Sequence, residues 1–194
     1  MTSRRLFVGT FLAAEQQQML ERLKEHNQEL SRLWGTRLRW VKAAKLHMTW
    51  VFLGDVGEQL IEQAACRLSS ALSGYKPGRI SFNRAEFWPS PRKPRQLVLA
   101  VQPAPDEMLS LGNTLKDELA DFIARPEERR FRPHVTLLRF DMMAKNASVG
   151  PLKWPDKLDE MGILPLELAV DRVDLVESRI GSADEYKVLH SFSL

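Results

Sequence analysis

The chain has 194 residues, 44% hydrophobic and 27% charged, with a formal net charge of +3 and a pI near 9.1. These are the proportions of a globular domain long enough for a sizeable core, and the mild basic excess allows an anionic partner without identifying one. Its single cysteine, Cys66, excludes an intramolecular disulfide framework and a cysteine-rich metal site; in a helical stretch it is expected to be a buried, inert thiol.

The first eleven residues contain Arg4 and Arg5 but no apolar run long enough for a signal peptide, and no membrane-spanning stretch follows. A cytoplasmic protein with no membrane attachment is therefore expected. Residues 6–12 are apolar on both faces and read as a central strand. Met19, Leu20, Leu23, Leu30, Leu33 and Trp34 recur at helical spacing over residues 14–34, and Gly35 ends that helix. Residues 38–41 and 46–53 are strand-like, and a second helix over 58–72 stops at Gly74. Residues 79–88 and 96–101 read as a hairpin around the basic, proline-rich loop 89–95. A third helix over 106–124 carries Met108, Leu111, Leu115, Leu119 and Phe122 on one face, before Pro126. Residues 141–165 read as a long loop, and strands over 166–176 and 185–194 close the chain.

Two segments spell the same pattern: His47-Met48-Thr49-Trp50 and His134-Val135-Thr136-Leu137. Alternation along a strand puts His47 and Thr49 on one face, and likewise His134 and Thr136. A single His-x-Thr arises by chance in many proteins. Two copies in strand-like surroundings, separated by about half the chain, are a signal. The layout predicts one α+β domain over residues 1–194, built as two similar lobes. Their antiparallel sheets face each other across a central groove, with helices on the outer faces and one motif in each lobe.

Histidine titrates near pH 6.5, so at neutral pH one imidazole can accept a proton while its partner donates one. Around a phosphodiester, one activates water and the other protonates the leaving oxygen, each transfer being worth roughly 10²–10⁴-fold. Threonine hydroxyls beside them can donate to the phosphoryl oxygens. Catalytic zinc takes three close protein ligands, and neither motif carries a third at suitable spacing, so neither metal nor cofactor is expected. Arg132 precedes the second motif and is a candidate to hold an anionic substrate. Arg139 is another, although regular alternation puts it on the face opposite His134. Phe11, Phe131 and Tyr186 are candidates to stack on a nucleobase. His26 and His190 lack a twin motif and read as structural, His190 on an apolar face with a hydrogen-bond partner.

The blocks Arg39-Trp40-Val41, Leu46-His47-Met48-Thr49-Trp50-Val51-Phe52-Leu53-Gly54 and Phe131-Arg132-Pro133-His134-Val135-Thr136-Leu137-Leu138-Arg139 resemble the 2H phosphoesterases. Within that group they are similar to the bacterial and archaeal RNA 2′,3′-cyclic phosphodiesterases, also called 2′-5′ RNA ligases. Leu175-Val176-Glu177-Ser178 and Tyr186-Lys187-Val188-Leu189 resemble the family's last strands. Trp50 departs from it, standing where a smaller or aliphatic residue is common. The resemblance implies metal-free hydrolysis of a terminal RNA 2′,3′-cyclic phosphate to a 2′-phosphate, with a minor reverse 2′-5′ ligation. It implies His47 as proton donor, His134 as acceptor, and Thr49 and Thr136 as phosphate binders. RNA ends, tRNA-like fragments among them, are then the expected partner of a monomer without an obligate protein partner. Two alternatives remain open at this point: a phosphodiesterase of small cyclic nucleotides, ADP-ribose cyclic phosphates or 2′-5′ oligoadenylates, and a non-catalytic RNA-end-binding module.

Overall fold

The computed structural model describes residues 2–26, 38–124, 131–140, 164–179 and 185–194. In chain order its elements are β1 (Ser3–Phe11), α1 (Ala14–His26), β2 (Leu38–Trp40), β3 (His47–Gly57), α2 (Ile61–Leu72), β4 (Gly78–Phe82), β5 (Arg84–Trp88), β6 (Gln96–Ala100), α3 (Asp106–Glu118), β7 (His134–Phe140), β8 (Leu166–Val170), β9 (Arg172–Arg179) and β10 (Glu185–Ser193).

The main sheet runs β10-β9-β1-β3-β7-β6-β5, with β2 also beside β7, while β4 and β8 form a separate two-stranded sheet. Every pairing is antiparallel. The two motif strands, β3 and β7, meet only at Met48 and Val135. The strand pairing that joins the two antiparallel lobes is thus a single residue pair.

The lobes are not the two halves of the sequence. The lobe carrying β3 includes β9 and β10 from the C-terminal half, and the lobe carrying β7 includes β2 and β5 from the N-terminal half. Two expected single strands are each broken to make this exchange. Residues 79–88 divide at Asn83: β4 pairs with β8 and β5 pairs with β6. Residues 166–176 divide at Asp171 in the same way, β8 going to β4 and β9 to β1 and β10. The equivalent breaks in the two halves send equivalent strands to the other lobe.

The core lies between the sheet and helices α2 and α3. Helix α2 buries Ile61, Ala64, Ala65, Leu68, Ala71 and Leu72, and α3 buries Met108, Leu111, Gly112 and Leu115. Met48 and Val135, at the junction of the lobes, are completely buried. Helix α3 is shorter than expected, but Leu119 and the 3₁₀ turn Ala120–Phe122 keep Leu119 and Phe122 in the core. A 3₁₀ turn, Glu58–Leu60, replaces the first turn expected of α2.

Other expectations are corrected. Cys66 is exposed, because it lies on the solvent side of α2 beside the buried Ala65. His190 has the expected hydrogen-bond partner, its Nε2 meeting Glu62 of α2 at 3.1 Å, but it is not on the face of Tyr186, because the β10–β9 register slips between Val188 and His190 and reverses the alternation. The expected helix beyond residue 26, the side chain of His26 and most of the loop 141–165 lie outside the described residues.

Candidate active site

Both motifs adopt the same local geometry. Along residues 47–53 and again along 134–140, side chains are half-buried, buried, half-buried, buried, buried, exposed and buried. Simple alternation fails after the threonine in each strand, because the register slips there. Val8 and Gly9 of β1 face Val51 and Thr49, skipping Trp50. Leu97 and Val98 of β6 face Leu138 and Thr136, skipping Leu137. Each slip is a one-residue bulge at the fourth motif position, and a bulge turns the following side chains over. Phe52 and Arg139, which occupy equivalent places, are thereby brought to the histidine face. Arg139 therefore lines the cleft with His134, opposite to its placement by regular alternation.

Each imidazole is pinned the same way. His47 Nδ1 lies 2.6 Å from the carbonyl oxygen of Lys45, and His134 Nδ1 lies 2.8 Å from that of Arg132. A carbonyl only accepts, so each Nδ1 carries the proton, and the neutral ring holds its lone pair on Nε2. The upstream backbone is shaped for this: the 3₁₀ turn Ala43–Lys45 precedes His47, and Pro133 restricts Arg132 to extended conformations.

His47, Thr49, His134 and Thr136 line one cleft of about 480 Å³ together with Arg5, Arg39, Lys42, Lys45 and Arg139. No carboxylate is among its described lining residues. Among the described residues no three metal-binding side chains converge; the charges around the two histidines are cations, the complement of an anion.

The two rings have different neighbours. His47 sits among Phe7 at 4.7 Å, Tyr186 at 5.3 Å and Phe11 at 5.6 Å between ring centroids. Burial there lowers its pKa from 6.5 to about 4, overcoming the opposing hydrogen bond to Lys45, with His134 and Arg139 adding charge repulsion. His134 is half-buried and stands 4.5 Å from the Trp88 ring.

The remaining sequence candidates fall into place unequally. Tyr186 lines the cleft under the ammonium of Lys45, and Phe11 flanks both Tyr186 and His47. Arg132 misses this cleft: its guanidinium lies 4.4 Å over the Trp88 ring and 3.2 Å from Glu86. Phe131 stacks on Trp50 at 5.3 Å, and the Trp50 indole N–H donates to Thr10 Oγ1 at 2.9 Å. The unusual tryptophan is thus fully accommodated on the buried side of β3.

Sequence reasoning missed Phe7, Trp88, Arg5, Arg39, Lys42 and Lys45 as neighbours of the site. Lys42 and Lys45 carried a signal in their closeness to His47; Trp88 comes from a distant strand and carried none. A second cleft, of about 720 Å³, adjoins the first where β3 and the segment leading into β7 diverge.

Residues 13–181 match the 2′-5′ RNA ligase superfamily. The chain belongs to this superfamily. Curated superfamily relatives named RNA 2′,3′-cyclic phosphodiesterase include one from Methanothermobacter thermautotrophicus, 30% identical over 83% of this chain and 80% of its own. Another, from Thermotoga maritima, is 29% identical over 80% of this chain and 79% of its own. The fold is shared with E. coli LigT, solved as a complex with 3′-AMP: TM-score 0.74, 22% identity, covering 99% of this chain and 98% of that one.

Proposed function

We propose that the protein hydrolyses the 2′,3′-cyclic phosphate at an RNA end to a 2′-phosphate, with two-histidine acid–base catalysis. The observation that carries the reading is the pair of identically pinned imidazoles in one cation-lined cleft. The curated relatives named RNA 2′,3′-cyclic phosphodiesterase support the same substrate. A pure RNA-end-binding module has no use for two such titrating groups.

In this mechanism His134 Nε2 takes a proton from water as the water oxygen bonds to phosphorus. The P–O3′ bond breaks, and His47 Nε2 gives its proton to the departing O3′, leaving the phosphate on O2′. His47 is neutral in the empty cleft at neutral pH. The anionic phosphodiester supplies the charge that favours its protonated form, so the acid is loaded when substrate is bound. Thr49 and Thr136 donate to the non-bridging oxygens, and Arg139 balances their charge. A 5′-hydroxyl attacking in place of water gives a 2′-5′ linkage by the same proton transfers.

The test is end-group analysis of an RNA oligonucleotide bearing a 2′,3′-cyclic phosphate. A 2′-phosphate product is expected, with activity reduced at least about 100-fold in His47→Ala and in His134→Ala. A 3′-phosphate product, or full activity in either variant, overturns the mechanism.

A further inference from the structure

We infer that the 720 Å³ cleft receives the nucleotide on the 5′ side of the one bearing the cyclic phosphate, making the protein selective for RNA ends over free cyclic mononucleotides. The inference rests on the phosphodiesterase reading above. Thr49, Phe52, Gln96, His134 and Arg139 line both clefts. A cyclic phosphate between the two histidines therefore lies at the seam. The smaller cleft takes the phosphate and the terminal nucleoside; what continues along the chain passes His134 into the larger one. Its volume is within the range that encloses a nucleotide-sized ligand.

The walls suit a nucleotide. Arg95, Lys116, Arg132 and Arg139 line the cleft with no carboxylate among its described lining residues, a lining that attracts a backbone phosphate. Trp88 and Arg132 form a ledge for a base. The carboxylate of Glu86 accepts from the Trp88 indole N–H at 2.8 Å and from Arg132 at 3.2 Å, so one acid fixes both. The guanidinium and indole stay in contact at 4.4 Å. Planar guanidinium and aromatic faces are the surfaces on which unpaired bases stack. Arg95 is anchored through its backbone alone in the described bonds: its N–H donates to Trp88 O at 2.6 Å, and its carbonyl accepts from the Phe140 N–H at 2.9 Å. Replacing its side chain leaves that loop closed.

The experiment compares kcat/KM for adenosine 2′,3′-cyclic phosphate with that for the dinucleotide ApA ending in a 2′,3′-cyclic phosphate. The dinucleotide is expected to be favoured at least about tenfold, as the added phosphate and base contacts warrant. Arg95→Ala and Lys116→Ala are each expected to lose most of that preference while cleaving the mononucleotide at the wild-type rate. Equal kcat/KM for the two compounds in the wild type overturns the inference and leaves the phosphodiesterase reading standing. So does a preference that survives in both variants. Hydrolysis of neither compound overturns both.

Discussion

The His47 ring makes a pH-dependent signature that can be worked from its surroundings. Its pKa lies near 4 in the folded protein, held down by burial among aromatic rings, against 6.5 for an unperturbed histidine. At pH 7 only about one ring in a thousand is then protonated in the empty site. The unfolded chain binds the proton more readily than the folded one, so stability falls as pH drops from 6.5 towards 4. The full linkage is about 3 kcal/mol, of which about 2 kcal/mol is lost by pH 5. Urea denaturation of the wild type and His47→Gln at pH 7 and pH 5 isolates it: the pH-dependent loss should be about 2 kcal/mol smaller in the variant. An NMR titration of the imidazole should show a midpoint near 4 in the free protein. With a nucleoside 2′-phosphate bound, the midpoint should move up towards neutrality. A free-protein midpoint near 6.5, or equal pH dependence of the two proteins, refutes both the burial argument and the idea that substrate charge loads the acid.

Replacing the threonine hydroxyl in Thr49→Val or Thr136→Val is expected to lower kcat/KM about 10- to 100-fold, the value of one hydrogen bond to a charged group, at unchanged Tm. Equal activity in both variants removes the threonines from phosphate binding. Gly9→Ala places a Cβ 3.0 Å from the Met48 carbonyl, 3.1 Å from the Phe7 ring and 3.4 Å from His47 Cδ2; displacing that ring should reduce kcat about tenfold or more, read alongside the His47 titration midpoint. In Gly112→Ala the new methyl lies 2.4 Å from the Phe131 ring, so Phe131 must leave Trp50 and stability should fall by about 1–3 kcal/mol, measured as a lower Tm.

That His47, Thr49, His134 and Thr136 share one cleft was legible because strand alternation alone puts each histidine with its threonine, and the pattern is spelled twice. The one-residue slips after Thr49 and Thr136 were not legible, since Trp50 and Leu137 are ordinary strand residues and neither bulged strand carries a glycine at that point. Arg139 was for that reason a binding candidate with the wrong face assigned. The exchange of β5 and β9 between lobes was equally hidden: Asn83 and Asp171 end their strands locally, but which partner the next strand finds is decided by tertiary pairing. The aromatic surroundings of His47 come from β1 and β10, whose approach depends on that same pairing. Apolar periodicity, by contrast, identified the buried face of α3 and the turn after it nearly residue by residue.

The single rung between Met48 and Val135 separates two tasks: building each motif and spacing the two apart. Each strand places its own histidine, threonine and bulge against its own partner, β1 for β3 and β6 for β7. The separation of the two imidazoles is left to the docking of the strands, in which that rung and the Trp50–Phe131 stack over Gly112 take part. Substitution of these hidden packing residues would retune the span between the two imidazoles, and so the bulk of ligand that fits, while the geometry of each motif stayed as it was.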